Sequence, residues 1–157
     1  MMKQKSKLLL ALFASVSVLA GCSSVDLNPN PDQAQAQAEA ARLQALLNQR
    51  QVFFGFDSYS VPSDAQAMIE AHAAYMNAHP SATVVLEGNT DERGGREYNL
   101  ALGQKRSDAV KARLQLLGVP AERLESVSFG KERPLDAGHD EAAWSQNRRV
   151  DIKYLSN

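Results

Sequence analysis

The chain has 157 residues, a formal net charge of −1 and a single cysteine. One cysteine excludes an internal disulfide, and the mildly acidic balance lacks the basic face that nucleic-acid binding demands. The length suits one domain and a tether.

Lys3, Lys5 and Lys7 precede an apolar stretch of twelve residues from Leu8 to Leu19. That is too short to cross a bilayer as a helix but suits the apolar centre of an export signal. The stretch ends in Leu19-Ala20-Gly21-Cys22, which resembles a bacterial lipobox. Residues 1–21 are therefore expected to be a lipoprotein signal peptide, and Cys22 the lipidated first residue of the mature chain. The alternative is an ordinary secretory signal cut near Ala20, with Cys22 an incidental thiol. In the lipoprotein class this cysteine carries a diacylglyceryl group and an N-acyl chain. At ~0.8 kcal/mol per buried methylene, three chains hold far more firmly than one. Ser23 resembles the pattern for sorting to the outer membrane, which leaves the rest of the chain facing the periplasm. Loss of residues 1–21 removes three lysines and takes the net charge to about −4.

Asn28-Pro29-Asn30-Pro31-Asp32 is turn-rich, and Gln33 to Glu39 alternates Ala with Gln or Glu without a large apolar side chain. Residues 22–50 are expected to form a flexible, lipid-anchored linker, with transient helix at most towards Ala40 to Leu47. Fully extended, it reaches ~90–100 Å at ~3.3–3.6 Å per residue.

Residues 51–157 read as one domain. Val52 to Phe56 is a short apolar, aromatic run bounded by Asp57-Ser58, the signature of a buried strand. Pro62 opens a helix with Met68, Ile69, His72, Tyr75 and Met76 on one face, and His79-Pro80 ends it. Thr83 to Leu86 is a second strand. Tyr98 to Leu117 is a long helix with Leu102, Ala109, Val110, Leu114 and Leu117 on its stripe, stopped by Gly118-Val119-Pro120. Leu124 to Phe129 and Val150 to Leu155 are further strands, with a short helix over Asp140 to Gln146. The expected fold is α+β, β-α-β-α-β-(α)-β, a mixed four-stranded sheet with helices on one face.

The second strand runs into the polar loop Gly88-Asn89-Thr90-Asp91-Glu92-Arg93-Gly94, and Arg106 follows Asp91 by fifteen positions. Arg106 lies four residues from both Leu102 and Val110, so it points along the core-facing stripe. A charge there must be paired or held at the open end of the sheet. One reading is a salt bridge to Asp91 or Asp57. The other is a site where a carboxylate and a guanidinium clamp a zwitterion.

Several motifs together carry a resemblance over nearly the whole chain: Phe56-Asp57-Ser58, Gly88 to Gly94, Tyr98-Asn99 with Leu102 and Arg106, Ser128 to Pro134, and Gly138 to Trp144 with Asn147-Arg148-Arg149. The chain is identified on these as a member of the OmpA-like domain family. The resemblance implies non-covalent binding of the peptidoglycan peptide stem through Asp91 and Arg106. Asp57, Asn99 and Leu102 match positions lining the family's pocket, and Arg149 matches the second arginine of the Asn-Arg-Arg element. It also implies work in the Tol–Pal system, contact with TolB and other Tol proteins, and support of outer-membrane constriction at cell division. Asn89 stands where His is frequent and Gly95 where Thr is common, departures expected to alter affinity without abolishing function. Diaminopimelate, the diamino acid of these stems, ends in a carbon bearing both an ammonium and a carboxylate. An acid matches the first, and arginine's planar fork takes the second with two hydrogen bonds. The start of the following helix adds favourable potential for an anion.

No metal or cofactor is expected. His72 and His79 lack acid or cysteine partners, and Gly94-Gly95 fits neither nucleotide-loop pattern. His139 reads as a turn residue, Lys131 to Arg133 as a solvated turn or a partner surface, and Trp144 as a packing residue rather than a sugar platform. Two other function classes compete with the tether. One is a glycan-cleaving enzyme using Asp57 and Asp91 as its carboxylate pair, which needs one acid kept protonated. The other is a periplasmic adapter whose main partner is a protein.

Overall fold

The computed structural model describes residues 31–156, so the expected signal peptide, Cys22 and the first part of the linker lie outside it. Helix α1 spans Pro31–Asn48. The helix is longer than the transient one expected towards Ala40 to Leu47. Ala, Gln, Glu, Leu and Arg are all strong helix formers, and Pro31 holds the first helical position, where its missing N–H costs nothing. An apolar stripe is needed to bury a helix, not to form one. The side chains of α1 stay exposed until Leu46 and Leu47, and Leu46 packs against the core of the domain.

The sheet contains β1 (Gln51–Phe53), β2 (Thr83–Asn89), β3 (Leu124–Gly130) and β4 (Arg149–Ser156), in the order β1-β4-β2-β3. Strand β2 runs parallel to β3 and antiparallel to β4, which is antiparallel to β1. The parallel pair requires a crossover, supplied by α3 (Arg96–Leu116). Helix α2 (Gln66–Ala78) follows a 3₁₀ turn at Ser63–Ala65, so it starts a turn later than Pro62 suggests. A short α4 (Glu141–Asn147) precedes β4, capped by Asp140, whose side chain accepts from the Ala143 N–H. This is the expected mixed four-stranded α+β fold.

Strand alternation places Val84 and Leu86 of β2 and Val150 and Ile152 of β4 in the core with Met68, Ile69 and Met76 of α2 and Val110 and Leu114 of α3. Each such side chain stabilises the fold by ~1.5–3 kcal/mol. The next residues along β2 and β4 face away and pair by charge, Lys153 Nζ lying 2.6 Å from Glu87 Oε2. The buried stripe of α3 includes Leu102, Gly103, Arg106, Ser107, Val110 and Leu114, while Ala109 is half-buried and Leu117 exposed. Gly88 and Gly103 let α3 lie directly on β2. A Cβ on Gly88 would overlap the Gly103 carbonyl oxygen.

Candidate functional site

The carboxyl ends of β1 and β2 and the start of α3 meet at one end of the sheet. Asp57 sits just beyond β1 with φ of 51°, a left-handed conformation that Asp tolerates better than most side chains. This turn brings the carbonyls of Gly55 and Ser58 to Arg106. Arg106 Nε donates to Ser58 O at 2.7 Å, Nη1 to Asn89 O at 2.9 Å and Nη2 to Gly55 O at 3.0 Å. The guanidinium also lies over the Phe54 ring. Burial, reinforced by the Arg148 charge, pushes the Arg106 pKa down to about 10 against the pull of Asp91 and Asp57, so it remains a cation at neutral pH. Its charge is met by three carbonyl dipoles, not by the direct bridge to Asp91 or Asp57 considered from the sequence.

The β2–α3 loop is pinned on three sides. The Thr90 N–H donates to Gly130 O, Lys131 Nζ donates to the carbonyls of Glu92 and Gly94, and Asn99 Nδ2 donates to Arg93 O. Lys131 is therefore bound to the loop where the sequence suggested a solvated turn. Within the loop the Asp91 carboxylate faces inward, and the residue as a whole is 4% exposed. It accepts from the Nε, Nη2 and backbone N–H of Arg93, and from Arg148 Nη1 at 3.4 Å. Burial pushes the Asp91 carboxyl up, but the hydrogen bonds and charge of Arg93, helped by Arg148, together bring it below the usual carboxylate value. Arg148 is itself tied to Phe54 O and to Glu141.

Asp91, Arg106, Asp57 and Leu102 line one cavity of about 160 Å³, together with Phe56, Thr90, Arg93, Gly94 and Tyr98. The Tyr98 hydroxyl donates to Asp57 Oδ1. Two other residues nominated from the sequence do not line that cavity. Asn99 supports the loop from behind. Arg149 lies against Asp151 on the far side of the sheet at 3.0 Å, and its buried Nη1 has no partner among the described residues. A larger depression of about 810 Å³, where α1 meets β1 and β4, contains none of the nominated residues.

The residues that sequence reasoning passed over are Arg93, Arg148 and Trp144. Trp144 packs beside the Arg93 guanidinium, not in the core, and its Nε1 donates to Glu92 Oε1 at 2.9 Å. His139 also reaches Glu92. Arg148 had a visible signal, since it adjoins Arg149 in a segment turning into a strand. Adjacent strand residues point to opposite faces, so only one of the two can reach the site.

Residues 53–148 match the OmpA family. The peptidoglycan-associated lipoprotein of Pasteurella multocida is 46% identical over 153 residues, covering 98% of this chain and all of that protein. The protein of the same name from Haemophilus influenzae is 49% identical over 142 residues, covering 89% of this chain and 92% of its own length. Among solved structures, the peptidoglycan-associated lipoprotein of Burkholderia pseudomallei superposes with a TM-score of 0.69 at 55% identity, over 70% of this chain and 93% of that one. The C-terminal domain of Helicobacter pylori MotB shares the fold, with a TM-score of 0.64 at 22% identity over 69% of this chain and 86% of its own. With a family match over most of the domain and relatives aligned almost end to end, the chain belongs to the OmpA family.

Proposed function

We propose that this chain is an outer-membrane lipoprotein that binds peptidoglycan non-covalently, holding the diaminopimelate end of the peptide stem in the Asp91–Arg106 cavity. The observation that carries this reading is that an acid and an arginine line one small cavity without bonding to each other. A ligand bearing an ammonium and a carboxylate on one carbon matches both. The names of the aligned relatives favour the same reading. In this role residues 1–21 are removed, Cys22 carries the lipid, residues 22–50 connect the anchor to the domain, and residues 51–157 bind the wall. Partnership with TolB and the Tol–Pal system, envelope integrity and division belong to the same proposal.

The site suits binding better than bond cleavage. A glycosidase needs a carboxyl that holds its proton near neutral pH. Asp91 is instead held below the usual carboxylate value by Arg93 and Arg148. Among the described residues no helix is long and apolar enough to cross a membrane.

The test is sedimentation of the mature chain, in detergent, with purified peptidoglycan sacculi and with free diaminopimelate as competitor. Wild type is expected to sediment, to be released by diaminopimelate, and to liberate no muropeptides. Asp91→Asn should lose about 2–5 kcal/mol of binding, a large share of a micromolar affinity. Sedimentation of folded Asp91→Asn at the wild-type level would sink the site assignment. For the anchor, exported Cys22→Ser protein should leave the membrane fraction once the wall is digested.

A further inference from the structure

Both charges assigned to the ligand are covered in this structure. Arg106 has no solvent exposure, and Asp91 almost none. A carboxylate offers about four lone-pair positions. Those of Asp91 are taken by the Arg93 N–H at 3.1 Å, Arg93 Nε at 3.2 Å, Arg93 Nη2 at 2.7 Å and Arg148 Nη1 at 3.4 Å. No acceptor position remains for an incoming ammonium. Two of the four belong to a single side chain, that of Arg93, which is one-third exposed while Asp91 is 6% exposed at its side chain.

That side chain sits in a defined setting. The Arg93 guanidinium carbon lies 4.3 Å from the ring centre of Phe56 and 4.0 Å from that of Trp144. Aromatic faces attract cations at this range. Phe56 is 63% exposed and forms part of the cavity wall with Arg93 itself. The acid, the two rings and the guanidinium thus make a small cation site that is already filled by the protein's own residue.

We propose that Arg93 is an internal stand-in for the ligand cation: it occupies Asp91 in the free protein and is displaced when an ammonium enters. This rests on the ligand reading given above and deepens it, making Arg93 a specificity-determining residue. The displaced guanidinium has an acid to receive it. Glu141 Oε2 lies 3.7 Å from Arg93 Nη2, and its side chain is well exposed. Displacement exchanges one cation on Asp91 for another, so an amine alone gains little. A ligand that also brings a carboxylate gains the Arg106 contact in the same step. Arg93 therefore selects against simple amines by competing with them. Its cost is a lower apparent affinity for the true ligand, by the fraction of molecules in which Arg93 has left Asp91.

Trp144 is the only tryptophan in the chain, so its emission reports on the departure of the guanidinium. The experiment compares wild type, Arg93→Met and Asp91→Asn mature chains in detergent, each titrated with meso-diaminopimelate and with cadaverine. Methionine keeps an apolar stem against the rings and removes the charge. Arg93→Met is expected to bind diaminopimelate about tenfold more tightly than wild type and to acquire binding of cadaverine. Diaminopimelate should change the Trp144 emission of wild type and leave that of Arg93→Met nearly unchanged. If folded Arg93→Met binds diaminopimelate no more tightly than wild type, Arg93 is not a competitor and the proposal fails while the ligand reading stands. If Asp91→Asn binds as well as wild type, or if neither wild type nor Arg93→Met binds, the ligand reading itself falls and takes the role of Arg93 with it.

Discussion

Arg106 and Asp91 line the same cavity but bind different partners, Arg106 the carbonyls of Gly55, Ser58 and Asn89, Asp91 the guanidinium groups of Arg93 and Arg148. Each charge is therefore held in place independently of the other. Arg106 also acts as a structural brace, joining the chain after β1 to the end of β2.

Replacing that brace is expected to destabilise the domain. Arg106→Lys keeps the charge but not the fork, and a single ammonium cannot reach three carbonyls spread over two segments. Leaving buried carbonyls without donors should cost about 3 kcal/mol. Urea unfolding should show a lower midpoint with an unchanged slope. A midpoint equal to wild type would mean that the carbonyls find other donors.

Asp91 contributes to the acid limb of stability. Its carboxyl has an ordinary value of 3.8 and lies lower in the folded protein. A group depressed on folding contributes stability above its unfolded value and loses it as pH falls through its folded value. The stability difference between wild type and Asp91→Asn should therefore be constant above about pH 4 and shrink below it. Thermal melts of both proteins across that range check this, and a difference that widens in acid would contradict the assigned shift.

Gly88 sets the distance between α3 and β2. Gly88→Ala drives a methyl group into the Gly103 backbone, which cannot rotate aside. A loss of about 3 kcal/mol is expected, at the upper end of overpacking costs. Gly95→Ala is the control, since a Cβ there meets nothing within 4 Å. It should change stability by no more than about 0.5 kcal/mol. Equal effects of the two substitutions would count against a direct helix–strand backbone contact.

His72 couples the end of α1 to the domain. Its Nε2 donates to Gln49 O at 2.8 Å, because a carbonyl can only accept, and its Nδ1 accepts from the Tyr154 hydroxyl at 2.9 Å. Burial pushes the imidazole below its ordinary 6.5, and the Arg50 charge adds to this, against the opposing hydrogen bond to Gln49. The depressed value means that stability is fully present above about pH 6.5 and falls as pH drops through the folded value. His72→Gln should flatten the melting temperature between about pH 7 and pH 5. A wild-type profile already flat over that window would show that the imidazole is not held neutral.

The parts of this fold that could be read from the sequence are those where period and punctuation agree. The strand before Gly88, the apolar stripe around Val110 and Leu114, and the stop at Gly118 are each signalled twice. Arg106 was legible as an anomaly because a charge on a core stripe needs a partner, but its partners are backbone carbonyls, which carry no sequence signal. Helix α1 was read too short for the opposite reason. It forms on propensity and exposes nearly all its side chains, so the periodicity that marks buried helices is lacking. The choice between Arg148 and Arg149 turns on strand register, which one residue of shift reverses. Arg93 was hidden in the very motif that pointed to Asp91. Nothing in a linear run shows that a loop arginine folds back onto the acid two positions earlier.

The register of β1 has a mechanical consequence. Gln51 and Glu87 both lie level with Asp151 of β4, so the start of β1 sits near the same end of the sheet as the loop bearing Asp91. In a tether that is anchored upstream of Gln51 and gripped at Asp91, the load crosses the sheet from β1 through β4 to β2. The three-residue edge strand β1 is then the first paired strand to take the pull. Resistance to rupture is set by the rate of forced unfolding, and it rests here on the short pairing of β1 with the start of β4.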